Sequence, residues 1–416
     1  MKNLQFTTIS KCRICKNSNL TLIVDLGIQH LSGIFPLNQS EDSNIAPLAL
    51  VKCDDLNGCG HVQLSYSCDP AILYGDHYGY RSGLNPSMVK HLREKKEYLT
   101  KLISLSPGDV VIDIAGNDGT FLSFFDRTLS LLSIDPTSAK FGSYYPEHVQ
   151  YESDFFKKEI IQKRFKDSAP KLITTFSMFY DLEDPISFAK EINEVLDSTE
   201  GIWSLEMSYM PEMVATNSFD TICHEHLSYF GLKQLKYIFD ATNFKIIDFN
   251  FNSINGGSIA ISVAKRESKY IEITQRLKDQ LLTEEKLGFS TLAPWENFNR
   301  NIIDFRDKFI SLLREELNNG KRIAALGAST KGNVTLQTWN LDQELISIIG
   351  DVNEEKNNRI TPGTNIPIRS EDFVLSQGYD CLVVLPWHFR EFFVTNPKFS
   401  DKTLIFPLPV PEKVFT

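Results

Sequence analysis

Between residues 108 and about 265, short apolar runs alternate with stretches whose apolar positions recur every three or four residues. The runs near 110–115, 131–135, 171–176, 201–206, 245–251 and 258–264 read as strands. The periodic stretches near 118–128, 185–197 and 231–242 read as helices. Strand and helix in alternation predict a doubly wound α/β sheet. Only Asn255-Gly-Gly257 separates the last two strands, so they are expected to form a hairpin. A helical stretch from Met88 to Leu105 leads into this block, and two long ones, roughly 267–287 and 294–318, lead out of it. Beyond them, Lys321-Arg-Ile-Ala-Ala-Leu-Gly-Ala-Ser-Thr-Lys-Gly-Asn333 repeats the order strand, glycine turn, helix. Strands near 346–350 and 380–385 extend that second α/β sheet. The first 70 or so residues are short-turned and cysteine-rich. The pattern therefore divides the chain at 1–70, 71–266 and 267–416.

Composition narrows the classes. Of 416 residues, 42% are apolar and 23% charged, as in ordinary soluble globular proteins. A formal net charge of −10 opposes broad capture of nucleic acid. No apolar run approaches the roughly 18 residues a membrane helix needs. Seven cysteines with no export signal point to a reducing cytoplasm. Cys12, Cys15, Cys53 and Cys59 then read as metal ligands rather than disulfides. Thiolates two residues apart can share a tetrahedral Zn²⁺, and a block with so little core gains from such a staple. The second pair is wider than usual, which leaves His61 or Cys68 open as the fourth ligand.

In the first α/β unit the strand Val110-Val-Ile-Asp-Ile114 runs into Ala115-Gly-Asn-Asp-Gly119. Ala115, Gly116 and Gly119 let backbone approach a ligand, and Asp113 is placed to meet an amine or hydroxyl. The next strand ends at Asp135, where a ribose-binding carboxylate belongs. The spacing resembles S-adenosylmethionine (SAM) methyltransferases more than dehydrogenases. Asn117 and Asp118 would repel the pyrophosphate that a dehydrogenase seats on its helix N-terminus and would suit a cationic amino-acid ligand. Ala115 stands where glycine is usual, which is tolerable if its φ is negative. Ligands in such sheets bind outside the carboxyl ends of the strands, which brings in Ser177 and its loop to Asp181. Asp154 and Phe155, after the third short strand, are placed to hold adenine. The second glycine turn is cationic through Lys331 and rich in donors, which suits phosphate.

Between the later strands of the first sheet lies Cys223-His-Glu-His-Leu227. Its histidines are two apart, not the four of a zinc-binding HExxH helix, so acid–base work fits better. Together with Asp25-Leu-Gly27, Val62-Gln-Leu64, Tyr78-Gly-Tyr-Arg-Ser82, Asn117-Asp-Gly119, Asn255-Gly-Gly-Ser258, Lys331-Gly-Asn333 and Thr361-Pro-Gly363, it forms an ordered set. From end to end that set resembles the sugar C-methyltransferases of deoxysugar pathways. The resemblance implies an N-terminal zinc-binding domain, a central class I SAM methyltransferase sheet and a C-terminal Rossmann-like domain. It implies SAM and Zn²⁺ as cofactors, and methyl transfer to carbon 3 of a nucleotide-linked 4-keto sugar. His226 would be the general base and Glu225 its partner, with His224 as a further candidate. Tyr80 or Tyr78 would project a hydroxyl into the pocket, and Lys331 and Asn333 would meet the diphosphate. Cys223 and Asp181 depart from the family, where tyrosine and histidine face the sugar. An O- or N-methyltransferase on a sugar or small metabolite is the alternative.

Overall fold

The computed structural model describes residues 6–41, 44–74, 79–166 and 168–416. Its central sheet has seven strands. Across the sheet they run Phe244–Asn252, Ser258–Lys265, Ile202–Ser208, Leu172–Phe176, Val110–Ile114, Ser130–Ile134 and Val149–Glu152. All are parallel except Ser258–Lys265, which is antiparallel to both neighbours. Val110–Ile114 is buried at every position, as expected of a strand covered on both faces. The reversed strand follows from the turn before it. Asn255, Gly256 and Gly257 take φ of +55°, +88° and +123°, conformations that Asn and Gly enter most readily.

The predicted helix after Gly119 is reduced to one turn, Leu122–Phe124. Few residues are available for it. Asp118 turns the chain by accepting from Thr120, and Asp126 turns it again by accepting from Thr128. The aromatics between them go into the core, with Phe121 and Phe125 both buried. The helices Pro185–Val195 and Leu232–Ala241 form where the periodicity places them.

The C-terminal sheet runs Ile368–Ser370, Ile349–Asp351, Ile323–Leu326, Cys381–Val384, Thr403–Phe406 and Glu412–Phe415, parallel but for the last strand. Counted from Ile323–Leu326 this is the 3-2-1-4-5-6 order of dinucleotide-binding folds. Helix Ala293–Asn318 buries Trp295, Phe298, Ile302, Phe309 and Leu313, one stripe at helical spacing.

In the N-terminal sheet Leu20–His30, Ile45–Cys53 and Val62–Leu64 pair in that order, and Val62–Leu64 pairs in turn with Ser228–Tyr229, a strand from the distant His-Glu-His region. One buried cluster joins Val24, Leu48 and Leu64 to Phe219, Ile222 and Tyr229, and onward to Ala325, Trp339 and Val383. The region between the two α/β sheets is therefore solid core, not linker. No described helix is long and apolar enough to cross a membrane.

Candidate active site

The switch point of the central sheet lies between Val110–Ile114 and Leu172–Phe176. Asp113 is buried there, and among the described residues its carboxylate has one hydrogen-bonding partner, the Thr174 hydroxyl at 2.6 Å. Burial pushes its pKa up to about 7. A carboxyl held without a cation suits a ligand amine. A Cβ on Gly116 would come within 2.3 Å of the Ser133 Oγ and 2.9 Å of Asp113 Oδ2, so the turn packs this closely on its neighbours only with glycine here. Asn117 N–H donates to Asp135 at 2.8 Å, and the other Asp135 oxygen takes the Thr137 N–H and hydroxyl at 2.6 Å. The cradle fits SAM. One expectation is corrected: Ala115 has φ +61°, left-handed rather than negative. In that conformation its N–H donates to Ile134 O at 2.8 Å. Asn117 and Ser177 share the same region, at φ +54° and +52°. Such strain clusters at functional sites.

The aromatic loop is strapped over this turn by its backbone. Ser82 N–H donates to Asn117 Oδ1 and Gly83 N–H to Asp118 Oδ2, both at 2.9 Å, while Asn117 Nδ2 donates to Tyr80 O at 3.1 Å. The Tyr80 ring itself is about half exposed. Tyr78 lies outside the described residues. Gly119 faces the Tyr145 ring rather than open space. Asp154 is at the rim, paired with Lys157 at 2.6 Å, and Phe155 beside it is exposed.

The His-Glu-His segment splits three ways, because its neighbours in sequence point to different partners. His226 Nδ1 donates to Thr221 O at 2.9 Å, which leaves Nε2 as the unprotonated nitrogen. The ring packs on Tyr180 with centroids 4.2 Å apart. Burial first, and then the nearby Lys331 charge, bring its pKa down to about 3, so the imidazole is neutral at physiological pH. Glu225 accepts from the Cys223 thiol and lies against Gly33, where a Cβ would meet its Oε1 at 2.3 Å. Burial pushes the carboxyls of Glu225 and Asp181 up, and the Glu225 charge raises Asp181 further. His224 is fully buried and turned to the Ala46 carbonyl at 3.4 Å, in the N-terminal sheet. It is not brought to the cleft.

The second glycine turn faces this cleft. Lys331 is not on an open phosphate surface: its Nζ donates to Asn255 O at 2.6 Å, across the seam between the two sheets. Asn333 is fully buried and donates to Ser32 O at 2.7 Å. A side chain with no exposure does not meet a diphosphate. Sequence reading missed Asp220 and Trp387, whose indole N–H donates to Asp220 Oδ2 at 2.8 Å. Asp220 sits in the same stretch as the histidines, but nothing local marks it as facing Lys331.

The sulfurs of Cys12, Cys15, Cys53 and Cys59 lie within 4.8 Å of one another, with Cys12–Cys59 at 3.6 Å and Cys15–Cys53 at 3.5 Å. Four thiolates around Zn²⁺ at about 2.3 Å would stand about 3.8 Å apart, so the set fits. The open question of the fourth ligand closes on Cys59. His61 bonds Ser228 Oγ at 3.1 Å and stacks on Phe230, and Cys68 belongs to a separate core. Between the first two cysteines, Arg13 donates to Leu64 O at 2.7 Å and Tyr66 O at 3.0 Å and pairs with Glu183 at 3.2 Å. The metal knuckle thus holds the loop that carries Asp181.

A class I methyltransferase sheet, a four-thiolate zinc site and a second dinucleotide-type sheet define a SAM-dependent methyltransferase with accessory domains. Family models match in series: a zinc binding domain over residues 12–74, a methyltransferase domain over 88–248 and a C-methyltransferase C-terminal domain over 253–411. The chain is 26% identical over 410 residues to the C-methyltransferase NovU of Streptomyces niveus, covering 97% of this chain and 96% of that one. Over nearly its whole length the chain is thus similar to SAM-dependent C-methyltransferases of this kind. Among solved structures, a SAM-dependent methyltransferase of Clostridium acetobutylicum is 10% identical, covering 42% of this chain and 92% of its own, with TM-score 0.33. One from Anabaena variabilis is 14% identical over 43% and 85%, with TM-score 0.34.

Proposed function

We propose that this enzyme methylates carbon 3 of a nucleotide-linked 4-keto sugar through an enolate. The observation that carries the reading is His226: its Nδ1 proton is committed to the Thr221 carbonyl, so Nε2 is left unprotonated and able to act as a base. Carbon accepts a methyl only once it is made nucleophilic, and a C–H beside a ketone is only weakly acidic. A positioned base therefore has to take that proton. SAM, when bound at the Asp113–Asp135 cradle, supplies the electrophilic methyl. Glu225, whose carboxyl burial pushes up, is poised as a hydrogen-bond partner to the sugar, with Cys223 and Asp181 within reach of its charge. Tyr80, whose backbone is strapped to Asn117, is the tyrosine we assign to the sugar pocket. The second sheet's switch point faces the first, which supports a sugar between the sheets and its nucleotide on the C-terminal one. On this reading 1–70, 71–266 and 267–416 are the metal, cofactor and nucleotide-sugar units, working in a reducing cytoplasm.

The test is solvent deuterium wash-in at carbon 3 of a nucleotide-linked 4-keto sugar without SAM. Wild type should exchange. His226→Asn should lose exchange and turnover by about 10²–10⁴-fold while binding SAM normally. Wild-type turnover in that variant would discard the base. A methyl found on oxygen or nitrogen, with no exchange, would discard the reaction.

A further inference from the structure

Lys331 comes from the C-terminal sheet's first turn and ends against Asn255 of the other unit. Its ammonium has three N–H donors. Among the described residues one of them is used, by Asn255 O. Helix Thr330–Thr338, which carries it, packs on Phe219–Thr221, and Thr330 lies with Glu225 against Gly33. The Lys331 charge acts there on His226, Cys223 and Asp220, and on His388 in the loop after Cys381–Val384. Asp220 is fully buried and has given one oxygen to Trp387, while its Oδ1 has no hydrogen-bond partner among the described residues. Lys331, half-buried, and Asp220, fully buried, thus carry opposite charges on the two sides of the seam, and among the described residues they do not close an ion pair. Burying a charge is expensive, and apolar residues of similar volume are often at least as stable. Stability alone gives little reason for an ammonium here.

We infer that Lys331 steadies the enolate oxygen, so that the C-terminal domain completes the site of chemistry as well as holding the nucleotide. The inference rests on the proposed enolate. His226 Nε2 takes the proton from carbon 3, and the C–H electron pair becomes the carbon 3–carbon 4 double bond. The carbonyl π electrons move to the oxygen, whose negative charge the ammonium of Lys331 neutralises without changing its own proton count. Carbon 3 then forms its bond to the methyl as the S–CH₃ bond breaks, the carbonyl re-forms, and His226 returns its proton to water. A fixed cation in a dry cleft costs no reorganisation at the moment of reaction, which is why such groups are effective there. The same charge keeps His226 neutral and ready to accept.

Lys331→Gln and Lys331→Arg are compared with wild type in the deuterium exchange assay, alongside melting and SAM binding. Lys331→Gln should melt near wild type, bind SAM normally and exchange on the order of 100-fold more slowly, with KM for the sugar nucleotide changed little. Its base limb should move to higher pH, because the charge that depresses His226 is gone. Lys331→Arg should recover part of the rate. An unchanged exchange rate with KM raised tenfold or more would put Lys331 on the diphosphate and overturn the inference, as would an unmoved base limb. Should Lys331→Gln fail to fold, Lys331→Arg decides by the same split between rate and KM. If wild type itself does not exchange, the enolate reading fails first, and the two failures are told apart.

Discussion

In the first α/β unit the turn after the leading strand carries Asn117 and Asp118, and in the second the same turn carries Ser329, Thr330 and Lys331. The frames are otherwise alike. The acid that closes the next strand folds back on its own chain in both, Asp135 onto Thr137 N–H at 2.6 Å and Asp351 onto Asn353 N–H at 2.7 Å. The segments after the two turns differ. The second unit starts a nine-residue helix, Thr330–Thr338, capped by Ser329, whereas the first has one turn, Leu122–Phe124. A helix N-terminus carries partial positive charge, which favours anions and disfavours a sulfonium cation. On the proposed reading one plan serves ligands of opposite charge through the side chains of the turn and the length of the helix after it.

The largest break in that comparison should come from the metal. The cysteine knuckle grips the first unit through Arg13 and Glu183, while the long strand Leu20–His30 grips the second, with Gln29 on Thr338 at 2.9 Å. Cys12→Ser should release zinc and lower melting by many degrees, since structural zinc contributes folding energy outright. Hydrogen exchange should quicken at Phe179–Asp181 well before it does in Thr330–Thr338. Equal zinc content in the variant and wild type would refute the site.

Asp135→Ala should weaken SAM binding about tenfold or more by calorimetry, and Asp351→Ala should leave it within about twofold. A loss of SAM affinity in the second variant would reverse the assignment of the two units. A smaller effect comes from pH. Asp113 sits at a pKa of about 7, and its carboxylate form is the one that meets a cation. SAM affinity should therefore strengthen about tenfold from about pH 6 to about pH 8, with proton release on binding below neutrality. A flat profile would take Asp113 out of the contact. The smallest effect is Ala115→Gly, which relieves a left-handed alanine and should stabilise the protein by about 1 kcal/mol in denaturant unfolding. Destabilisation there would mean that the methyl packs usefully.

Much was legible along the chain because strands and turns are local. Val110–Ile114 is an unbroken apolar run but for Asp113, Asn255-Gly-Gly257 names its own turn, and four cysteines at knuckle spacing name a metal. These features come from side-chain period, backbone freedom and ligand chemistry, all of which are properties of a few adjacent residues. The packed structure decided the rest. Two histidines two residues apart were separated, His226 to the cleft and His224 to Ala46, because Ser228–Tyr229 pairs with a strand more than 160 positions earlier. Lys331 was turned inward by Asn255, and Asn333 was buried on Ser32. Contacts that distant are set by which surfaces exclude water together, and no local period in the chain records that choice.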